Sequence, residues 1–310
     1  MSRFNLVRLV GRTAFAITLL LFAACNQTPT EITPLPRALG EVGAVHFTAT
    51  SLAPLPEGQG TYVLWGLGER RATNKLGLFY VNEAGAVVDG SGVPLSAFTT
   101  EDVTMRTLQG ILVTIEANTD GDTPAGMQIL SGTFIERVAT LTVPISASVL
   151  SATGGLRVFT PTDGEDTNEN AGVWMMDSAG EPSLVLPDTS AALNYETFIE
   201  VDGMNLNLGR FEVASTKDDT CRFCANFEEF DQPGRPGDDL LLNAPDGLSF
   251  PRDVSGSIVR ISLEGRFNDF VQQSQLVILE AVLPEGLVGG EIIGFVNVAE
   301  SFPLGRAALY

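Results

Sequence analysis

The chain has 310 residues, enough for two domains of ordinary size, and 44% of them are hydrophobic, enough to build real cores. Eighteen Lys and Arg stand against 38 Asp and Glu, a formal charge of −20, which argues against a nucleic-acid partner because such a partner requires a basic face. The single histidine, His46, rules against His-based metal sites and against a Ser-His-Asp triad.

The N-terminus has the pattern of a targeting segment. Arg3, Arg8 and Arg12 precede an apolar run over residues 14–22 that is shorter than the roughly 20 residues a membrane span needs. Ala23-Ala24-Cys25 follows, and small residues ahead of a cysteine resemble the bacterial lipobox, in which the cysteine is acylated and becomes the new N-terminus. Phe22 stands where that motif prefers Leu, and ordinary cleavage after Ala24 is the alternative. The expectation is a signal peptide over residues 1–24 and lipidation at Cys25. Cleavage would leave fifteen basic residues against 38 acids, a formal −23. Residues 25–42 are Pro/Thr-rich without periodicity and read as a tether. Asn26 follows the cysteine where Asp would favour inner-membrane retention, so outer-membrane sorting is expected if the organism has two membranes.

Beyond the tether the chain reads as strands, at 45–50, 61–65, 76–81, 86–88, 111–116 and 127–130, with a turn at Asn82-Glu83-Ala84-Gly85. No window shows a convincing 3.6-residue apolar period, and 32 glycines with 17 prolines supply many turns. The later half repeats the pattern. Tyr195-Glu196-Thr197-Phe198 matches Tyr62-Val63-Leu64-Trp65, and Leu208-Gly209-Arg210-Phe211 matches Leu76-Gly77-Leu78-Phe79. Ile261-Ser262-Leu263-Glu264 matches Val113-Thr114-Ile115-Glu116, with extra residues in the second copy at 216–239. The fold class expected is all-β, two Ig-like antiparallel β-sandwich modules in tandem with low helix content. Their expected bounds are 43–137 and 138–310, the second carrying the 216–239 insertion.

Tyr62-Val63-Leu64-Trp65, Leu76-Gly77-Leu78-Phe79, Val113-Thr114-Ile115-Glu116 and Thr123-Pro124-Ala125-Gly126 resemble the extracytoplasmic domain of anti-sigma-K factors, with its Tyr-x-Leu-Trp, Gly-x-Phe and Val-Thr-Leu-Glu strands and its Pro-Thr-Gly turn. The second half, with Thr160-Pro161-Thr162, Asn170-Ala171-Gly172-Val173-Trp174 and Gly247-Leu248-Ser249-Phe250-Pro251, resembles bacterial lipoproteins built from the same module. The likeness covers roughly residues 45–285 and implies a β-sandwich. No sigma-binding segment or membrane helix is seen ahead of the module, so direct sigma-factor sequestration is not implied.

The sharpest chemical feature is Cys221-Arg222-Phe223-Cys224. A Cys-x-x-Cys forms a local disulfide, a redox pair or half of a zinc site. No second cysteine pair accompanies it, and an exported pair is expected to close as a disulfide held in a polar, hydrated loop. Asp163, Glu165, Asp166, Asn168 and Glu169 crowd one loop, and such oxygen-rich loops suit Ca²⁺, the only cofactor the sequence suggests. The spacing is not that of an EF-hand, and a solvated turn is the alternative. Asn118, Asp120 and Asp122 form a weaker version. No Gly-x-Ser-x-Gly or phosphate-binding glycine loop is present, and no catalytic residue is proposed. The function expected is a non-enzymatic lipoprotein that binds, senses or scaffolds. Its expected partners are the membrane, through the lipid, and an envelope protein or polymer. The rivals are an exported partner of an anti-sigma system and a carboxylate-based enzyme acting on envelope polymers. Two acids with raised pKa values facing each other across an open cleft would favour the enzyme.

Overall fold

The computed structural model describes residues 43–99, 107–164, 167–189, 193–225, 232–266 and 273–310. Residues 1–42, where the signal segment, the lipidated Cys25 and the tether are expected, lie outside the described residues, as do Glu165, Asp166, Phe227 and Phe230.

The first half supplies β1 (Val45–Thr50), β2 (Thr61–Leu67), β3 (Thr73–Val81), β4 (Val87–Val88), β5 (Ala97–Phe98), β6 (Gly110–Glu116), β7 (Met127–Thr133) and β8 (Val138–Thr142). A one-turn helix, α1 (Ser146–Val149), leads to β9 (Gly155–Val158), β10 (Gly172–Trp174), β11 (Leu193–Val201), β12 (Met204–Phe211) and β13 (Gly237–Asp239). The chain continues through β14 (Ile258–Gly265), β15 (Val277–Val282), β16 (Ile292–Gly294) and β17 (Val296–Asn297) to β18 (Leu304–Leu309). Strand accounts for 42% and helix for 4%, so the fold is all-β, built from antiparallel sheets with sandwich character. The strand orders are β4-β3-β2-β6-β7-β8-β18-β1-β5, β13-β10-β9-β16 and β12-β11-β14-β15-β17.

Two of these sheets contain the same four-strand block. Tyr62 pairs with Phe79 and Ile115, and Tyr195 pairs with Phe211 and Leu263 at the matching positions. The bulges coincide as well. The β2–β3 register shifts after Leu64 and the β11–β12 register after Thr197; the β6–β7 shift follows Val113 and the β14–β15 shift follows Ile261. A bulge inserts one unpaired residue and bends the strand, so four bulges at matched places carry the repeat further than composition does. Tyr62 stacks on Phe79 at 5.1 Å and donates its hydroxyl to Ala53 O; Tyr195 stacks on Phe211 at 5.7 Å and donates to Pro187 O. Tyr62, Trp65, Phe79, Tyr195, Phe198 and Phe211 are all buried. Strands β6 and β14 are central, and β6 is buried along its whole length, which is why their apolar residues run on instead of alternating.

The division at residue 137/138 needs correction. β8 belongs to the first sheet, where Ser131 pairs with Thr142, and β18 from the end of the chain lies between β8 and β1. Its Leu304–Leu309 stretch pairs residue by residue with Thr50–Val45, so the last strand completes the first sheet. In the second half the corresponding segment, β16 and β17, bridges directly from β9 to β15 with no strand inserted. Gln275 crosses between the halves, accepting from Ala53 N and donating to the Tyr62 hydroxyl. One hydrophobic cluster contains core residues of both halves, and Gly40–Tyr310 is a single compact unit.

Phe79→Ala should cost about 3–5 kcal/mol in urea denaturation, because its ring is fully buried in this shared core. The neighbouring Leu78, on the partly exposed face, should cost under about 1.5 kcal/mol when changed to Ala. Equal losses at the two positions would contradict the strand orientation described.

Candidate functional site

Two features concentrate chemistry. One is a groove on the first sheet, of about 740 Å³, bordered by Leu67, Thr73, Gln109, Leu112, Gln128 and Thr133 among others. All of its described lining residues are uncharged, in a chain at −20. Nearby, Val63, Trp65 and Leu112 form a small apolar cluster on the outer face of the sheet, with Lys75 Nζ 5.8 Å from the Trp65 ring centroid. The same ammonium donates to the carbonyls of Thr119 and Gly121. The loop at 118–122 therefore holds a cation already, the Lys75 ammonium, while Asn118 caps it by accepting from Asp120 N.

The second feature is a set of buried carboxyl groups in the second half. Asp218, Asp238 and Asp239 are all buried, and among the described residues none of them forms a salt bridge. Each is held by donors instead. Asp239 accepts from Thr162 N and Oγ1 and from Trp174 Nε1. Asp218 accepts from Gly237 N, and Asp238 from the N–H groups of Phe223 and Asp239. Burial nevertheless dominates. It pushes Asp218 and Asp238 up to about 8 and Asp239 up to about 6, against the opposing pull of those hydrogen bonds.

Local backbone makes room for Asp218. Gly209 has φ +133°, and a Cβ there would stand 2.5 Å from Asp218 Oδ2. At the matching position of the first half, a Cβ on Gly77 would meet the Phe98 ring at 2.9 Å. The glycine that marks both repeats admits an overlying side chain, an aromatic ring in one and a carboxyl in the other.

Cys221 and Cys224 are joined in a disulfide with Cα atoms 5.4 Å apart. The pair is buried beside Trp174, Met176 and Phe159, with Cys224 Sγ 3.0 Å and Cys221 Sγ 3.5 Å from Asp238 Oδ1. The expectation of a hydrated insertion is corrected here. Phe223 enters the main core and meets Phe250 edge-on at 5.5 Å, Asp218 is buried, and the insertion ends in the buried strand β13. Its apolar residues and N–H donors draw the acids inward.

A further set of acids sits on the repeated strands. Glu116 accepts from Thr114 Oγ1 and Ala125 N, and Glu264 from Ser262 Oγ and Ser274 N, so the same clamp occurs twice. Burial, reinforced by the charge of Glu196, pushes Glu264 up to about 8. Glu196 is raised by burial too, against its ion pair with Arg210. Glu264 borders a cavity of about 210 Å³ with Gln273, Ser274 and Pro54. None of these acids lies at the surface across an open cleft from another.

The Ca²⁺ candidates gather only partly. Asp163 Oδ2 accepts from Asn168 Nδ2, and Asn168 O accepts from Thr160 Oγ1. Glu169 packs close to Gly289. Among the described residues the only convergence of three acidic, Cys or His ligand atoms is Cys221, Cys224 and Asp238. The sequence reading missed Asp218, Asp238 and Asp239 because acids in an acidic chain read as solvated. The available signal was Asp238-Asp239 running straight into Leu240-Leu241-Leu242.

Comparison with protein-family models, with curated proteins and with solved structures gave no match to the chain.

Glu264 and Asp218 have pKa values raised in the folded state, so the stability they contribute is present at low pH and is lost as pH climbs toward about 8. Each can impose a slope of up to about 1.4 kcal/mol per pH unit. Urea midpoints measured from pH 5 to 8.5 should fall with pH in the wild type and flatten in Glu264→Gln and Asp218→Asn. Variants with the wild-type slope would contradict the assignment.

Proposed function

We propose that the chain is an envelope-anchored, non-enzymatic lipoprotein whose folded part binds an uncharged partner surface or polymer through the groove on the first sheet. The observation that carries this reading is the groove's lining. In a chain with 38 acids, a cleft of about 740 Å³ bordered by Gln, Thr, Ser, Gly, Pro and Leu side chains stands apart from the charged remainder. Amides and hydroxyls over an apolar floor suit a neutral, hydroxyl- or amide-rich ligand, since such groups both donate and accept hydrogen bonds. The carboxyls with raised pKa values are taken up internally by backbone and side-chain donors, which supports a structural use of those groups over acid–base catalysis. The lipobox-like Ala23-Ala24-Cys25 supports anchoring by acylation of Cys25. The resemblance to anti-sigma-K modules supports an extracytoplasmic setting.

A photo-crosslinking side chain placed at Gln128, on the groove wall, should give a discrete adduct in intact cells, whereas one at the exposed Glu300 should not. Cys25→Ser should move the protein from the membrane to the soluble fraction. Equal adducts at both positions would contradict the groove, and a Cys25→Ser chain that stays wholly with membranes would contradict the anchor.

A further inference from the structure

We propose that Cys221, Cys224 and Asp238, in the dithiol state, form a binding site for one zinc ion, and that the Cys221–Cys224 disulfide is the closed, metal-free state of the same site. The proposal is independent of the groove on the first sheet.

Geometry carries it. The two sulfurs and a carboxylate oxygen of Asp238 lie within 4.8 Å of one another, all on buried residues. Sulfur and oxygen ligands of one tetrahedral zinc, at about 2.3 and 2.1 Å from the metal, stand about 3.6 Å apart. Asp238 Oδ1 is already 3.0 Å from Cys224 Sγ and 3.5 Å from Cys221 Sγ. Once the S–S bond is broken, only small movements separate the three atoms into one coordination sphere. The surroundings also suit a metal. The Phe223 and Asp239 N–H groups fix the carboxylate's orientation, and Trp174, Met176 and Phe159 enclose the sulfurs in an apolar shell.

Charge points the same way. Two thiolates beside Asp238, with Asp239 next to it in the same strand, would place several negative charges in the interior with no cationic side chain among the described residues to pair with them. A divalent cation removes that penalty. Soft thiolate sulfur combined with one carboxylate selects zinc over calcium or magnesium, which prefer oxygen alone. Three protein ligands leave a fourth position for water, as in zinc sites that exchange ligands.

The two states exclude each other stoichiometrically. A phosphine reductant breaks the S–S bond with two electrons, the phosphine is oxidised to its oxide with oxygen from water, and both sulfurs leave as thiols. Zn²⁺ then displaces two protons, one from each thiol, as the two Zn–S bonds form. When the metal leaves, each sulfur regains a proton, and thiol–disulfide exchange with a small-molecule disulfide then re-forms the S–S bond, the added disulfide taking both electrons and both protons and leaving as two thiols.

The test uses the whole chain, reduced with a phosphine, desalted without oxygen and titrated with Co²⁺ and then Zn²⁺. Reduced protein should take up one equivalent of Co²⁺ with a sulfur-to-cobalt charge-transfer band, and one equivalent of Zn²⁺ should abolish the band. The disulfide form of the same protein, which needs no substitution, should show neither. Asp238→Asn should lower the affinity by about tenfold or more while leaving both thiolates to bind. Circular dichroism should show that reduced protein keeps its β signal or regains it with metal. Four outcomes would overturn the proposal: no band in reduced protein, equal uptake by the disulfide form, unchanged affinity in Asp238→Asn, or loss of fold on reduction that metal does not reverse.

Discussion

Placing a carboxyl group inside a protein of formal charge −20 carries two costs, the loss of hydration and the repulsion of the remaining acids. This chain buries several in its second half, and a single ion pair, Arg210 with Glu196, offers any of them a cation among the described residues. The others are met by N–H and hydroxyl donors, and burial pushes Asp218, Asp238 and Glu264 up to about 8. Much of the local architecture follows from that constraint. Gly209 lacks a side chain where Asp218 comes in, Thr162 and Trp174 turn donors onto Asp239, and Phe223 presents its backbone N–H to Asp238.

The two repeats show what the constraint changed. Both keep the Tyr-on-aromatic stack, the paired bulges and the hydroxyl–glutamate clamp. On the outer face they diverge. Val63 and Trp65 of the first repeat sit in a small buried apolar cluster, whereas Glu196, Arg210 and Arg260 with its two glutamates make a charged network in the second. The position over the marker glycine diverges too, from Phe98 to Asp218. One repeat has kept a neutral groove and the other has gathered acids around two cysteines. A single backbone plan thus supports two different chemistries, which is why fold alone does not fix what either half does.

The strand positions were legible in the sequence because tyrosine, glycine and glutamate recur at matched spacings and each has a fixed structural duty. The Asn82-to-Gly85 turn was equally legible, since Asn82 Oδ1 accepts from Ala84 N and Ala86 N while Gly85 takes φ +76°. The insertion of β18 was not legible. Residues 304–309 look like any other short strand, and their partners lie more than 150 residues away in sequence. The inward acids were hidden for a related reason. A run such as Lys217-Asp218-Asp219 gives no hint that Asp219 faces water while Asp218 is enclosed, because Gly209 and Gly237 from other strands create the enclosure. The cysteines were visible as a motif, yet their contact with Asp238 depends on β13 folding back over them.

The central claim is that burial holds carboxyl groups neutral inside this acidic protein, and carbon-13 carboxyl shifts of Glu264 and Asp218 followed from pH 4 to 9 test it most directly. The account predicts that both groups titrate near 8, well above the ordinary carboxylate range. Titration of Glu264 and Asp218 in the ordinary carboxylate range, about 4, would contradict it.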